Sequence, residues 1–270
     1  MEQRRMDYHL HTLHSSDGRQ SMQELCESMV RQGVQEICLT EHIDPGHPWP
    51  EMDVPPIWDV WFQEIQSMRQ QFPTLTIRAG VEIGDNPACR QQIQQQVAAW
   101  DFDFRLLSLH LVNGMDCYEN PQYFSGKTRD QAYREYAEAK AESVLKWTEF
   151  DSVAHIGYVA KYSAYTGEER PLRYKDAPDA FDAILRHIID HDKCLEINAS
   201  GYATTGDTLP HTSIVQRYID LGGECFTFGS DSHQQDRNYQ NVERAKEHIR
   251  SLGGKYQASF CQRKKTLYRI

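Results

Sequence analysis

Short apolar runs alternate with longer amphipathic stretches along almost the whole chain, the pattern of a parallel sheet wrapped by helices. The runs Asp7 to Thr12, Glu36 to His42, Thr76 to Ile83, Phe104 to His110, Asp151 to Ile156, Cys194 to Ala199 and Cys225 to Ser230 read as seven strands. Between them, Ser21 to Gln32, Trp58 to Gln71, Arg90 to Ala99, Arg129 to Trp147, Ala177 to His191 and Thr212 to Leu221 read as helices, with another at Val242 to Leu252. Asp17 or Ser21 can cap the first helix, and Gly33 and Gly222 fall just past helix ends, where a left-handed residue commonly stops the helix. The proline-rich segment from Asp44 to Pro56 is a loop overhanging one end of the sheet, and Tyr256 to Ile270 is a last extended segment.

A length of 270 residues suits one α/β barrel, so residues 1–270 are expected to form a single domain. Hydrophobic residues at 39% and charged residues at 25%, without low-complexity blocks, place the chain among globular proteins. No apolar run reaches the length of a signal peptide or a membrane span, so the cytoplasm is the default location and no membrane partner is expected. The seven cysteines form no CxxC pair and read as reduced thiols. A net charge of -10 argues against nucleic acid as a partner, because that role needs a basic surface. A small anionic substrate stays open, since bound divalent cations would invert the potential inside an acidic protein. Nothing in the sequence reports on oligomeric state.

The strand ends carry the chemistry. His9 and His11 lie two residues apart, on one face of a strand, so both imidazoles can reach one metal ion. The motif gains weight from recurrence. Thr40-Glu41-His42 closes the second strand, Gly80-Val81-Glu82 lies in the third, Ser108-Leu109-His110 closes the fourth, Ala154-His155 the fifth, and Gly229-Ser230-Asp231-Ser232-His233 follows the seventh. In a β/α barrel these positions converge on the carboxyl-terminal rim, where such enzymes place their active sites. Imidazole and carboxylate donors suit zinc, manganese or iron, and their number points to two or three ions bridged by a carboxylate such as Glu82 or by a water.

The motifs HLHTLHSSDG, TEH, GVEIGD, SLH, AHIGY and GSDSH, in that order, resemble the polymerase and histidinol phosphatase (PHP) superfamily and, within it, the histidinol-phosphate phosphatases. The resemblance runs over nearly the whole chain. It implies a distorted (β/α)7 TIM-like barrel with its active site at the carboxyl ends of the strands and a trinuclear metal centre. It puts a first ion on His9, His11, Glu82 and Asp231, a second on Glu82, His110 and His155, and a third on Asp17, His42 and His233. His14 is the alternative to Asp17. The implied reaction is hydrolysis of a small phosphomonoester, foremost L-histidinol phosphate in histidine biosynthesis, by a hydroxide shared between the first two ions. Asp231 and His233 are then the candidates for handling protons, and Lys161 for gripping phosphate.

Two departures from the phosphatases bear on the substrate. Arginine is common where this chain has Lys161, and lysine keeps the charge but loses the two-pronged fork. Relatives also often carry an arginine shortly after the segment matching Leu195 to Gly201, where this chain reads Tyr202-Ala203-Thr204-Thr205. A different small phosphate ester, or a phosphodiester, is therefore the alternative substrate. Thr12, Thr40 and Ser108 are candidates to hold ligands in place through hydrogen bonds. His47 and His211, in loops, are candidates for the pocket border.

Overall fold

The seven expected strands form a parallel ring. A computed structural model of the protein describes residues 3–118, 121–161, 163–234 and 239–270. The strands are β1 (Met6–Leu10), β2 (Glu36–Ile43), β3 (Thr76–Gly84), β4 (Phe104–Ser108), β5 (Ser152–Val153), β6 (Cys194–Asn198) and β7 (Cys225–Gly229), neighbours in that order. Helices α1 (Met22–Arg31), α2 (Trp58–Gln71), α3 (Arg90–Ala98), α4 (Arg129–Lys146), α5 (Pro178–Asp190), α6 (Thr212–Asp220) and α7 (Gln240–Ser251) cover the outside. Ser21 begins α1 with a reciprocal capping box to Glu24, and Thr128 begins α4 in the same way with Gln131. Leu25 and Met29 of α1, Trp61 and Ile65 of α2, and Phe181 and Ile184 of α5 bury their apolar faces in one continuous core against the strands.

Closure of the ring is uneven, as expected of a distorted barrel. At the carboxyl rim β1 meets the segment after β7 through His11 N donating to Ser232 O (3.0 Å) and Asp231 N to His9 O (2.9 Å). At the other end the tail forms a hairpin, β8 (Tyr256–Cys261) and β9 (Lys264–Arg269), and β8 runs parallel to the start of β7. Phe260 N donates to the Tyr8 hydroxyl at 2.7 Å, and Phe260 packs with Tyr8, Phe104 and Leu106 in a second apolar cluster. The tail thus closes the floor, while polar side chains are left to the rim.

Parity along the strands decides which residues face inward. Phe104 and Leu106 join the apolar floor, and Ser108, two residues on, reaches the polar rim; Cys194 and Glu196 repeat the pattern on β6. On β1 the register to β2 shifts between Asp7 and Leu10, so that Tyr8 faces the floor and His9 and His11 still face the rim. The longest strands match their sequence limits closely, whereas β5 is only two residues long. Its neighbour His155 is held instead by hydrogen bonds beyond the ladder. Among the described residues no helix is long and apolar enough to cross a membrane.

Candidate metal centre

Glu82, near the end of β3, lies at the middle of the rim and is almost completely buried. Its Oε2 stands 3.0 Å from His9 Nε2, 3.3 Å from His11 Nε2 and 3.2 Å from His42 Nδ1. Its Oε1 stands 2.8 Å from His155 Nε2 and 3.3 Å from His110 Nε2, and it accepts a short hydrogen bond from Ser108. Five histidines from four chain segments therefore converge on the two oxygens of one carboxylate.

Asp231 and Asp17 complete the cluster. Asp231 Oδ1 lies 3.6 Å from His9 Nε2 and 3.8 Å from His11 Nε2, while Oδ2 accepts from Lys161 Nζ at 2.5 Å. Asp231 adopts a left-handed backbone (φ 54°), uncommon for a residue with a Cβ and typical of functional turns. Asp17 reaches His233 Nε2 at 3.0 Å and His42 Nε2 at 3.6 Å. His14 turns away to Glu64, 2.6 Å distant. Lys161 closes a one-turn helix, Tyr158–Lys161, that the sequence pattern did not reveal.

Residues around the cluster hold it in shape, and several were not singled out from sequence. Glu196 grips His9 Nδ1 at 2.6 Å through one oxygen and accepts from His155 N at 2.6 Å through the other, so it orients the first strand and anchors the fifth. Asp44 takes His110 Nδ1 at 2.8 Å. Glu196 and Asn198 show the inward period of two, which is the signal for them; Asp44 only extends the run Thr40-Glu41-His42-Ile43 by one more residue. Gly229 is required by proximity, because a Cβ there would stand 2.3 Å from His9 Cβ and 2.8 Å from Glu196 Oε1. Of the three hydroxyls expected to support ligands, Ser108 touches Glu82, Thr12 bonds Glu41, and Thr40 bonds the Leu10 backbone.

Electrostatics favour ionised carboxylates. Burial opposes the charge on Glu82, yet His9, His42 and the hydrogen bonds of His11 and His110 outweigh it and hold its pKa well below the ordinary range. Asp231 is likewise held low against burial, by Lys161, His9 and His233. On His11, burial and the neighbouring His233 and His42 push the pKa well down, leaving a neutral imidazole with a free lone pair. The buried atoms His11 Nε2, His42 Nδ1 and His42 Nε2 have no hydrogen-bond partner although carboxylate oxygens stand nearby. Buried polar atoms normally pair. Unpaired imidazole nitrogens grouped with carboxylate oxygens are what cation binding requires, so the residues fit divalent metal ions. Among the described residues, four groups of three such atoms come within 4.8 Å of one another: His9, His11 and Asp231; His9, Glu82 and His155; His42, Glu82 and His110; and His11, His42 and His233.

A cavity of about 530 Å³ opens over the cluster. The loop after β2 overhangs it as expected, contributing His47, Trp49, Glu51 and Met52. Tyr118, Tyr158 and Asp116 form another wall, where His47 Nε2 lies 3.3 Å from Asp116 Oδ2. Asp116 belongs to a tiny hairpin, Leu111–Val112 with Met115–Asp116, too short to be read from periodicity. His47 thus borders the cavity; His211 does not, and instead accepts from Ser213 N at the start of α6.

A parallel α/β barrel with an imidazole and carboxylate cluster at its carboxyl rim defines the barrel metallohydrolase class. The PHP domain model matches residues 7–200, and the chain belongs to that family. The chain is 32% identical over 239 residues to a Clostridium acetobutylicum protein named "Probable histidinol-phosphatase", covering 87% of this chain and 90% of the relative. It is 28% identical over 258 residues to the histidinol-phosphatase of Lactococcus lactis subsp. lactis (strain IL1403), covering 95% and 94%. The crystal structure of histidinol phosphate phosphatase from that Lactococcus, complexed with zinc, L-histidinol and phosphate, superposes with a TM-score of 0.88 at 27% identity, over 97% of this chain and 99% of that one.

Proposed function

We propose that this protein is an L-histidinol-phosphate phosphatase of histidine biosynthesis, acting in the cytoplasm and hydrolysing its substrate to L-histidinol and inorganic phosphate. The observation that carries the reading is the convergence of His9, His11, His42, His110 and His155 on the two oxygens of buried Glu82. The substrate follows from the Lactococcus relative, whose complex contains L-histidinol and phosphate. The cavity suits that alcohol, because an aromatic and acidic wall of Trp49, Tyr118, Tyr158, Glu51 and Asp116 can receive a cationic, ring-bearing group.

Two or three divalent ions, zinc, manganese or iron, are assigned to three residue sets. His9, His11, Glu82 and Asp231 would hold one, Glu82, His110 and His155 a second, and Asp17, His42 and His233 a third. When bound, they supply Lewis acidity to the phosphoryl oxygens and bring the acidity of a water to near neutrality. The side chains do the rest. Asp231, fixed by Lys161, Asn198 and Ser200, is placed to take the proton of the attacking water. His233 and Asp17 orient the ester from the exposed side of the cluster, and Lys161 offers its ammonium to a phosphate oxygen beside Asp231.

Phosphate release from a panel of monoesters and a diester tests the reading. L-histidinol phosphate should give the highest kcat/KM; strong turnover of another ester with none of histidinol phosphate would overturn the substrate and spare the chemistry. Glu196→Gln should lower metal affinity or activity by about 10- to 100-fold, because it weakens the groups that orient His9 and His155 without removing a proposed ligand. Metal content and rates measured on the purified variant check this, and wild-type values in both would contradict it.

A further inference from the structure

Among the described residues the cavity carries five carboxylates, Asp17, Glu51, Glu82, Asp116 and Asp231, against two permanent cations, Arg19 and Lys161. Lys161 already faces Asp231 Oδ2 at 2.5 Å, so part of its charge is offset within the protein, and it offers a phosphate only a single point of contact. Arg19 is different. Its guanidinium makes no hydrogen bond or ion pair among the described residues, although the side chain lines the cavity.

The backbone beneath it is firmly placed. Arg19 N donates to His233 O at 2.8 Å, and the flanking Gln20 bonds Leu13 N through its carbonyl (2.9 Å) and His11 O through its side chain (3.1 Å). Gly18 allows the loop to fold back on itself, since a Cβ there would stand 1.8 Å from Thr12 O. The same loop carries Asp17, which reaches His233. A pinned main chain therefore presents a planar cation, unpaired among the described residues, at the His233 edge of the cavity. An arginine without a partner in an acidic cavity is best explained by an anion that arrives with the substrate.

We infer that Arg19 binds the non-bridging oxygens of the substrate phosphate, supplying the two-pronged contact that Lys161 and the stretch Tyr202 to Thr205 do not. The inference rests on the phosphatase reading but concerns only where the phosphate is gripped. Arg19 contributes to substrate affinity and leaves proton transfer and metal binding to the cluster behind it. Its exposure limits the effect to about tenfold, the lower part of the range for hydrogen bonds to charged groups.

The test uses the metal-loaded protein and the variants Arg19→Ala and Arg19→Lys. For Arg19→Ala, KM for L-histidinol phosphate and the inhibition constant of inorganic phosphate should both rise about tenfold, with kcat changed by less than about threefold. Arg19→Lys should fall between, because it keeps the charge and loses the fork. Both constants within about twofold of the wild type, or a fall in kcat at constant KM, would overturn the inference. Binding of inorganic phosphate, followed by calorimetry, decides the question without turnover. If the wild type binds phosphate and Arg19→Ala does so about tenfold more weakly while histidinol phosphate is not hydrolysed, Arg19 stands and the assigned substrate falls.

Discussion

Replacing Glu82 by glutamine is expected to lower kcat/KM for phosphate release by at least about 10³-fold and to reduce the metal bound per chain. The substitution keeps the volume and the strand, so the fold should survive it. What changes is charge and donor type. One oxygen that now faces three imidazoles, or the other that faces two, becomes an amide nitrogen with no lone pair for a cation. Either orientation of the amide breaks one side of the proposed bridge. Metal analysis beside steady-state rates checks the outcome, and a variant within tenfold of wild-type activity after losing metal would sink the bridging role.

Chelation should act on both activity and stability. Removing the ions with a strong chelator is expected to abolish phosphate release, and adding back zinc, manganese or iron should restore it. Each ion at a free concentration 100 times its Kd stabilises the native state by about 2.7 kcal/mol. For a chain of this size one such ion corresponds to roughly 5 to 10 °C in Tm. A chelated protein should therefore melt lower by at least that amount and recover on reloading. Full activity in a preparation shown to be free of metal would refute the whole assignment.

Much of this architecture was visible in the order of residues. The floor and rim of β4 follow from one alternation, since Phe104, Leu106 and Ser108 share a face and only the last is polar. The recurrence of histidine or carboxylate at strand ends carried the cluster, because each strand could be read locally and the barrel brings its ends together. What escaped reading depends on contacts with no local period. β5 has two residues, and the hairpin bearing Asp116 has two per strand, too few for any alternation to register. The helix that carries Lys161 is a single turn. The role of Glu196 arises from a partner far away in sequence, His9, and Arg19 stands out only because no described residue pairs with its guanidinium. The pairing that draws His14 away from the cluster likewise involves a distant residue, Glu64, half a helix inside α2.

The uneven closure of the ring has a bearing on how the protein is made. His9 and His11 are synthesised well before Asp231, the seam of β1 to the segment after β7, and the floor strand β8. At ordinary rates of synthesis the early ligands wait on the order of tens of seconds for their partners. During that interval the nascent chain holds a β1 with one edge unpaired and an incomplete set of donors. The cluster can be completed only once the segment after β7 has emerged, so the first ligands made cannot be organised until the far side of the ring exists.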